Sequence, residues 1–499
     1  MHTVHTLTNQ GLAAVPVTIE ITATSGIPEI VLIGLANKTI IEAKDRIVTA
    51  LKSWNVKIKA RKIVINLRPA DLKKTGSHYD LAIAVGMLNL LHDSQIPTDA
   101  TAFLGELSLD GTLQPLPDAI RKVQAAKKLG FTQVFIPEQN AQEVTIVSNI
   151  TIRTVRSLGQ LLDAKRLHFL PTVTAKNETF QQLDTAVFDS LQNQEQAKRG
   201  VLIAIAGHHH LHLVGPPGLG KTSLAKAAHA LLPPLTNTEK IELLSIYEAA
   251  QEAKIDHRPL RSPSSHLTVS QLLGSSQRLT PGEASLAHTG ILFFDELNQA
   301  STNVLQGLRK VLDQKKVVLS NANTSAEFPA TVLLLAASNP CPCGYWGTQV
   351  RACRCSQSQR ANFVKKISGA LLDRIDMQLK VSATTNNSKK VIPVTGHQAI
   401  EQIRVARDRQ HHRFKKSAFV HNSDLTLENY PKYVTLSLSA DMLLHRSILR
   451  YRLSYRAIEK VISVAQTIAD LSQESEISSS HLKEAVSYRF EQYWEESNM

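Results

Sequence analysis

Cysteine is scarce in this 499-residue chain: there are four, and all lie between Cys341 and Cys355. That clustering excludes a disulfide framework spread through the fold and, in a cytoplasmic chain, points to metal binding. Long apolar runs are also missing, since none approaches the roughly 20 residues that cross a bilayer, so no membrane association is expected. Met1-His2-Thr3-Val4-His5 lacks the basic stretch, apolar core and cleavage site of an export signal. A cytoplasmic location is therefore the expectation. No internal repeat of fixed period is present. The apolar fraction of 43% and charged fraction of 20% are those of a globular protein, and the length favours two to four domains, of which three are expected.

Lys and Arg number 56 against 43 Asp and Glu, a net charge of +13, with a pI near 9.5. Such a surface attracts polyanions, and nucleic acid is the natural candidate. Charge alone fits equally well a mildly basic protein without such a partner.

Residues 1–165 alternate strand and helix patterns. Val17 to Ile21, Glu29 to Ile33 and Lys62 to Leu67 read as strands, and Lys38 to Trp54 carries apolar residues at helical spacing. A polar stretch within 166–189, from about Phe169 to Asp189, reads as a linker. In 190–392, a helix over Glu195 to Gly207 precedes a strand at Leu211 to Val214, and buried strands recur at Ile291 to Phe294 and Thr331 to Ala336. Strands separated by helical stretches predict a parallel sheet with crossover helices. From about Pro393 strands disappear, and Ala440 to Leu449, Tyr455 to Leu471 and Ser480 to Tyr493 predict a helical region over 393–499.

Gly215-Pro216-Pro217-Gly218-Leu219-Gly220-Lys221-Thr222 fits G-x-x-x-x-G-K-[ST] between a strand and a helix that opens at Ser223. Glycines let backbone N–H groups converge on phosphates, Lys221 neutralises the β and γ oxygens, and the Thr222 hydroxyl suits Mg²⁺. The strand Ile291 to Phe294 ends in Asp295-Glu296, which predicts Asp295 at the Mg²⁺ and Glu296 beside the attacking water. Asn339, after a third strand, is placed to orient water near the γ-phosphate or serves as a turn residue. Together these residues predict an ATP site that uses Mg²⁺.

Cys341-x-Cys343 and Cys353-x-Cys355 offer four thiolates, enough for a closed, structural Zn²⁺ site. Reduced thiols, disulfides and an iron–sulfur cluster are the other readings. Arg351 and Arg354 lie between the ligands, where a knuckle could meet a phosphate backbone.

The loop, the acid pair, Asn339-Pro340-Cys341-Pro342-Cys343-Gly344-Tyr345 and the run Lys366 to Asp376 resemble the magnesium-chelatase-like AAA+ proteins of the YifB/ComM type. Arg258 to Pro263, Pro281 to His288, Ser454 to Ala457 and Thr467 to Leu471 are similar to the same family. The resemblance covers nearly the whole chain. It implies an α/β fold in which an AAA+ core with a C-terminal helical lid follows a Lon-protease-like, S5-like domain. It further implies a homo-oligomeric ring, with a hexamer expected, in which Arg374 is the arginine finger and Arg456 the lid's second sensor. Leu312 to Leu319 resembles the pore hairpin of related motors, with Lys315 and Lys316 at its tip meeting DNA phosphates; a solvated turn explains those lysines as well. The implied function is an ATP-driven DNA motor of the helicase or branch-migration kind acting in recombination during DNA uptake. A protein-remodelling or chelatase-like chaperone is the alternative.

A second basic segment, Arg404 to Lys416, reads mainly as a solvated helix face. In the Lon-like region Gly76 to Leu81 and Gly105 to Gly111 are the turns that carry the likeness. His78 stands where the protease nucleophile belongs and Ile120 where its lysine belongs, so proteolysis is not expected. The sequence departs from the family at Pro263-Ser264-Ser265-His266, at Lys460 and at Gln466.

Overall fold

The computed structural model describes residues 1–10, 13–34, 38–58, 61–70, 77–92, 94–163, 167–168, 170–174, 183–192, 194–264, 266–322, 324–348, 351–367, 369–381 and 394–489. Of the positions singled out above, Gly76, Phe169, Ser265, Ser368, Pro393 and the segment 490–493 lie outside these. The chain divides into two compact units, one of Met1–Thr179 with Thr236–Lys254 and Val318–Phe328, the other of Phe180–Leu235, Ile255–Val317 and Pro329–Met499. Among the described residues no helix is long and apolar enough to cross a membrane.

The first unit is built on a seven-stranded mixed sheet. Its strands are β1 (His2–Gln10), β2 (Ala13–Thr24), β3 (Ile30–Ile33), β4 (Lys62–Arg68), β5 (Thr101–Phe103), β8 (Gln133–Pro137) and β9 (Thr151–Val155), in the order β3-β4-β2-β1-β5-β8-β9. A small hairpin joins β6 (Glu106–Leu107) to β7 (Leu113–Gln114). Alternation along β1 sends Val4 into a core with helices α1 (Lys38–Ser53) and α2 (Asp80–Leu91), and Leu7 into a second core with α3 (Ala119–Lys128) and α7 (Asn237–Ala250). A Thr236/Glu239 capping box starts α7. Ile120 is packed into the second of these cores, and His78 Nε2 lies 2.7 Å from the Leu7 carbonyl oxygen.

The second unit carries a five-stranded, wholly parallel sheet. Its strands β10 (Leu211–Val214), β11 (Leu260–Arg261), β14 (Ile291–Phe294), β17 (Leu333–Ser338) and β18 (Met377–Lys380) lie in the order β11-β14-β17-β10-β18. All four residues of β10 and β14 are buried, as strands covered on both faces must be. Helices α4 (Ala186–Ser190), α5 (Glu195–Gly207), α6 (Lys221–Ala230), α8 (Val269–Leu273), α9 (Glu283–Leu286), α10 (Thr302–Gln314), α11 (Gln357–Lys365) and α12 (Gly369–Leu372) accompany it, with a small hairpin of β12 (Gly274–Ser275) and β13 (Thr280–Pro281). After residue 394 the described chain has helices and no strand: α13 (Gly396–Phe414), α14 (Tyr430–Tyr433), α15 (Leu438–Tyr451), α16 (Tyr455–Leu471) and α17 (Ser479–Ser487). Val461, Ile462 and Ala465 of α16 share one core with Val201 and Ile205 of α5.

Three expectations change. The segment expected to be a linker ends in α4, because Phe188 supplies an apolar anchor that is 1% exposed in the core. The third strand runs Leu333–Ser338 rather than Thr331 to Ala336, since the Thr331 amide is held by His288 Nδ1 at 3.1 Å and the ladder to β10 ends on Val214↔Ser338. Lys315 and Lys316 do not form a hairpin tip. Strands β15 (Lys316–Ser320) and β16 (Ser325–Pro329) make the hairpin, and Lys315 is the left-handed C-cap of α10 at its base. The turn falls instead where Asn321 Oδ1 accepts from the Thr324 amide at 2.9 Å and the Asn321 amide donates to the Thr324 carbonyl oxygen at 2.9 Å.

Candidate nucleotide site

At the C-terminal end of β10 the chain leaves the sheet through Gly215. A Cβ there would stand 2.4 Å from the Val381 carbonyl oxygen, so only glycine permits this exit beside β18. Gly220 adopts φ +71° and caps α6, whose unsatisfied N–H groups then border the loop. Gln194, which the sequence reading did not single out, donates from Nε2 to the Leu219 carbonyl oxygen at 2.9 Å and braces the loop.

Lys221, the first residue of α6, is 8% exposed. Its Nζ donates to the carbonyl oxygens of Gly215 (2.6 Å) and Pro216 (3.0 Å) and to Asn339 Oδ1 (3.2 Å). Burial draws the ammonium below its ordinary pKa, and Asp295 and Glu296 oppose that shift. Asn339 Nδ2 in turn donates to Glu296 Oε1 at 3.4 Å, and Thr222 Oγ1 donates to Asp295 Oδ2 at 3.3 Å. Glu296 stands in the left-handed region at φ 56°, a conformation that costs a non-glycine residue about 1 kcal/mol or more and clusters at functional positions. Its Oε2 accepts from Gln299 Nε2 at 2.7 Å.

The fold therefore brings Lys221, Thr222, Asp295, Glu296 and Asn339 together at adjoining strand ends, although they follow three separate strands in the chain. A hydroxyl and a carboxylate side by side are the hard oxygen donors that Mg²⁺ takes. A buried ammonium and a glycine loop suit a polyphosphate.

Arg374 and Arg456 are not at this place. Both line a cavity of about 220 Å³ with His210, Asp313, Asp376 and Lys460. His210 precedes β10 and Asp376 precedes β18, so the cavity lies at the N-terminal ends of the strands, opposite the glycine loop. Arg374 makes a two-pronged ion pair with Asp313, Nε to Oδ1 at 2.6 Å and Nη2 to Oδ2 at 2.8 Å. Lys460 Nζ lies 2.7 Å from Asp376 Oδ1. Burial would push the Asp376 carboxyl up, but Lys460, His210 and His209 hold it well below the usual carboxylate range. Gln466 donates to Asp470 Oδ1 at 3.2 Å. Two of the three departures from the family, Lys460 and Gln466, thus meet carboxylates.

The four cysteine sulfurs all lie within 4.8 Å of one another. Cys341–Cys343, Cys343–Cys353 and Cys341–Cys353 separations are 3.3, 3.6 and 3.7 Å. A tetrahedral zinc with Zn–S bonds of about 2.3 Å requires sulfurs about 3.8 Å apart, so the donor set fits that ion. Lys315 Nζ pairs with Asp424 Oδ1 at 2.5 Å.

A parallel sheet with G-x-x-x-x-G-K-[ST] between strand and helix, facing an acidic strand end, defines the P-loop class of nucleoside-triphosphate-binding α/β domains. Residues 187–389 match the family described as magnesium chelatase, subunit ChlI; residues 19–140 match the one described as subunit ChlI of Mg-chelatase, and 395–489 the ChlI C-terminal family. The chain is 34% identical to the uncharacterized protein YifB of Salmonella typhimurium over 97% of this chain and 96% of that one. It is also 34% identical to the competence protein ComM of Haemophilus influenzae, over 97% of each chain. A 121-residue match, 24% of this chain and 21% of the relative, is 32% identical to Lon protease 2 of Bacillus subtilis. The chain belongs to the YifB/ComM-type family of magnesium-chelatase-like AAA+ proteins.

Proposed function

We propose that this protein is a ring-forming ATPase that moves along DNA, with a hexamer as the working form and branch migration or unwinding during DNA uptake as its task. The observation that carries the ATPase reading is the chain of contacts Lys221–Asn339–Glu296 beside Thr222–Asp295. Gly215 to Ser223 hold the triphosphate; Thr222 and Asp295 hold Mg²⁺, which supplies charge neutralisation when bound. Asn339 orients a water, and Glu296 accepts a proton from it as its oxygen bonds to the γ-phosphorus. The β–γ bridging P–O bond breaks, and ADP and phosphate leave.

Arg374 lies away from its own chain's loop, which favours service to a neighbouring subunit, with Arg456 beside it on the same cavity. The DNA reading is supported by the basic charge and by the name of the Haemophilus relative, a competence protein. Lys315 and Lys316, at the hairpin base, are assigned to phosphate contact. The four cysteines hold a structural Zn²⁺, and the Lon-like region serves as a scaffold or partner-binding module.

Steady-state ATP hydrolysis with and without single-stranded and forked DNA tests the reading. Stimulation by DNA, together with strand displacement, supports it. Turnover that is flat across all DNA forms while a protein client stimulates it sinks the DNA motor.

A further inference from the structure

We propose that the cysteine knuckle and α11 together form a single-stranded DNA contact surface that bears directly on the nucleotide loop; this rests on the DNA-motor reading and assigns the contact to a different part of the chain from the hairpin lysines. Between Glu327 and Asp373 the sequence contains no acidic residue, yet it carries Arg351, Arg354, Arg360, Lys365 and Lys366. In a chain with 43 acidic residues, so long a gap leaves these five cations without an acidic neighbour in the sequence. None of the five makes an ion pair with a carboxylate among the described residues, whereas Arg374, Arg404 and Arg413 all do.

The cations are arranged against aromatic rings instead. The Arg351 guanidinium lies 5.6 Å from the Tyr345 ring centre, and that of Arg360 lies 5.1 Å from the Trp346 ring centre. Planar guanidinium–aromatic pairs beside free positive charge are the components with which proteins stack bases and follow a single-stranded backbone. Helix α11 begins at a Ser356/Gln359 capping box and buries none of its residues. Gln357, Ser358, Gln359, Asn362 and Lys365 of α11 are exposed, while Arg360, Ala361, Phe363 and Val364 are partly covered, and the partner that matches the exposed residues in charge is a polyanion.

The same knuckle abuts the loop that cradles phosphate. Gly344, at φ +83°, stands so close that a Cβ would lie 2.7 Å from Pro217 Cδ. Asn339, two residues before Cys341, bridges Lys221 and Glu296. A strand held on Arg351, Arg354 and α11 would thus engage a knuckle that touches Pro217 of the phosphate loop, which gives DNA a short route to the rate of hydrolysis.

The test uses the full chain with a non-hydrolysable ATP analogue and fluorescently labelled oligothymidylate, read by anisotropy over a range of salt. Arg351→Glu with Arg354→Glu, and separately Lys365→Glu with Lys366→Glu, are expected to raise Kd by about tenfold or more. Each pair should also flatten the log Kd against log salt slope by about 1.4, at about 0.7 per lost contact. The reference is Lys415→Glu with Lys416→Glu after α13, expected to bind within about twofold of the natural chain. Thermal midpoints check folding, and Arg351→Gln with Arg354→Gln replaces the reversal if that variant does not fold. DNA stimulation of ATP turnover should fall in step with binding. If the natural chain binds and is stimulated while both knuckle and α11 variants match it, this inference is overturned and the motor reading stands. If the natural chain itself neither binds nor responds, the DNA reading falls and takes the inference with it.

Discussion

Arg374 closes a two-pronged ion pair on Asp313, in the last turn of α10, with its guanidinium almost wholly buried and the carboxylate half exposed. A third bond, Nη1 to the Ala370 carbonyl oxygen at 2.5 Å, completes the hold. The pair parks a charge that the proposed ring requires at a neighbour's γ-phosphate. Arg374→Ala should therefore lower turnover in the assembled protein by about 10³ or more, with nucleotide affinity little changed. Asp313→Asn should keep turnover within about threefold, since Asp313 only stores the arginine and the amide oxygen still accepts one of its two bonds. Steady-state kinetics of the two variants separate these roles, and equal losses in both would refute the assignment.

Glu296 and Asn339 contribute differently. Glu296→Gln keeps the hydrogen bond with Asn339 but removes the proton acceptor, so it should bind nucleotide normally and lose about 10² to 10⁴ in turnover. Asn339→Ala leaves the base in place but loosens both Lys221 and Glu296. A smaller turnover loss accompanied by weaker nucleotide binding is expected, measured by equilibrium titration with a fluorescent ATP analogue.

Metal analysis distinguishes the cysteine readings. The purified chain should carry about one zinc per chain, and Cys343→Ser should lose most of it, because three thiolates leave a tetrahedral site open. Iron with visible absorbance, or no metal at all, would rule the zinc site out.

Stability should fall on mild acidification. Burial lowers the pKa of His209, His210 and His212 to about 4, against about 6.5 in an unfolded chain. Between these values the unfolded state binds protons that the folded state excludes, so stability declines as pH drops from about 6.5 and levels off below about 4. His212 Nε2 lies 2.7 Å from Ser338 Oγ within the sheet. At pH 5 this one group costs about 2 kcal/mol, from 1.5 units at about 1.36 kcal/mol each. The urea midpoint of His212→Gln should be nearer the natural chain's at pH 5 than at pH 7; a gap independent of pH would contradict this.

Local pattern made the phosphate loop legible, because G-x-x-x-x-G-K-[ST] depends on backbone freedom and one cation within eight consecutive positions. The helices α5 and α16 coincide with their expected spans, Glu195 to Gly207 and Tyr455 to Leu471, since strong periodicity is a property of neighbours on the chain. The hairpin turn is hidden from local pattern for the opposite reason. Lys315 and Lys316 look like a polar turn between helix and strand, and only pairing with β16 moves the turn to Asn321 and Thr324.

Sequence alone determined the loop, the acid pair, the four clustered thiols and the alternation of strands and helices, each the product of short-range chemistry. Tertiary structure decided that Asn339 bridges Lys221 and Glu296, that Asp313 holds Arg374, and that Arg374 and Arg456 face a cavity remote from the loop. Those relationships depend on strand order in a parallel sheet, where crossovers set residues far apart in sequence side by side, and residue spacing carries no record of that order.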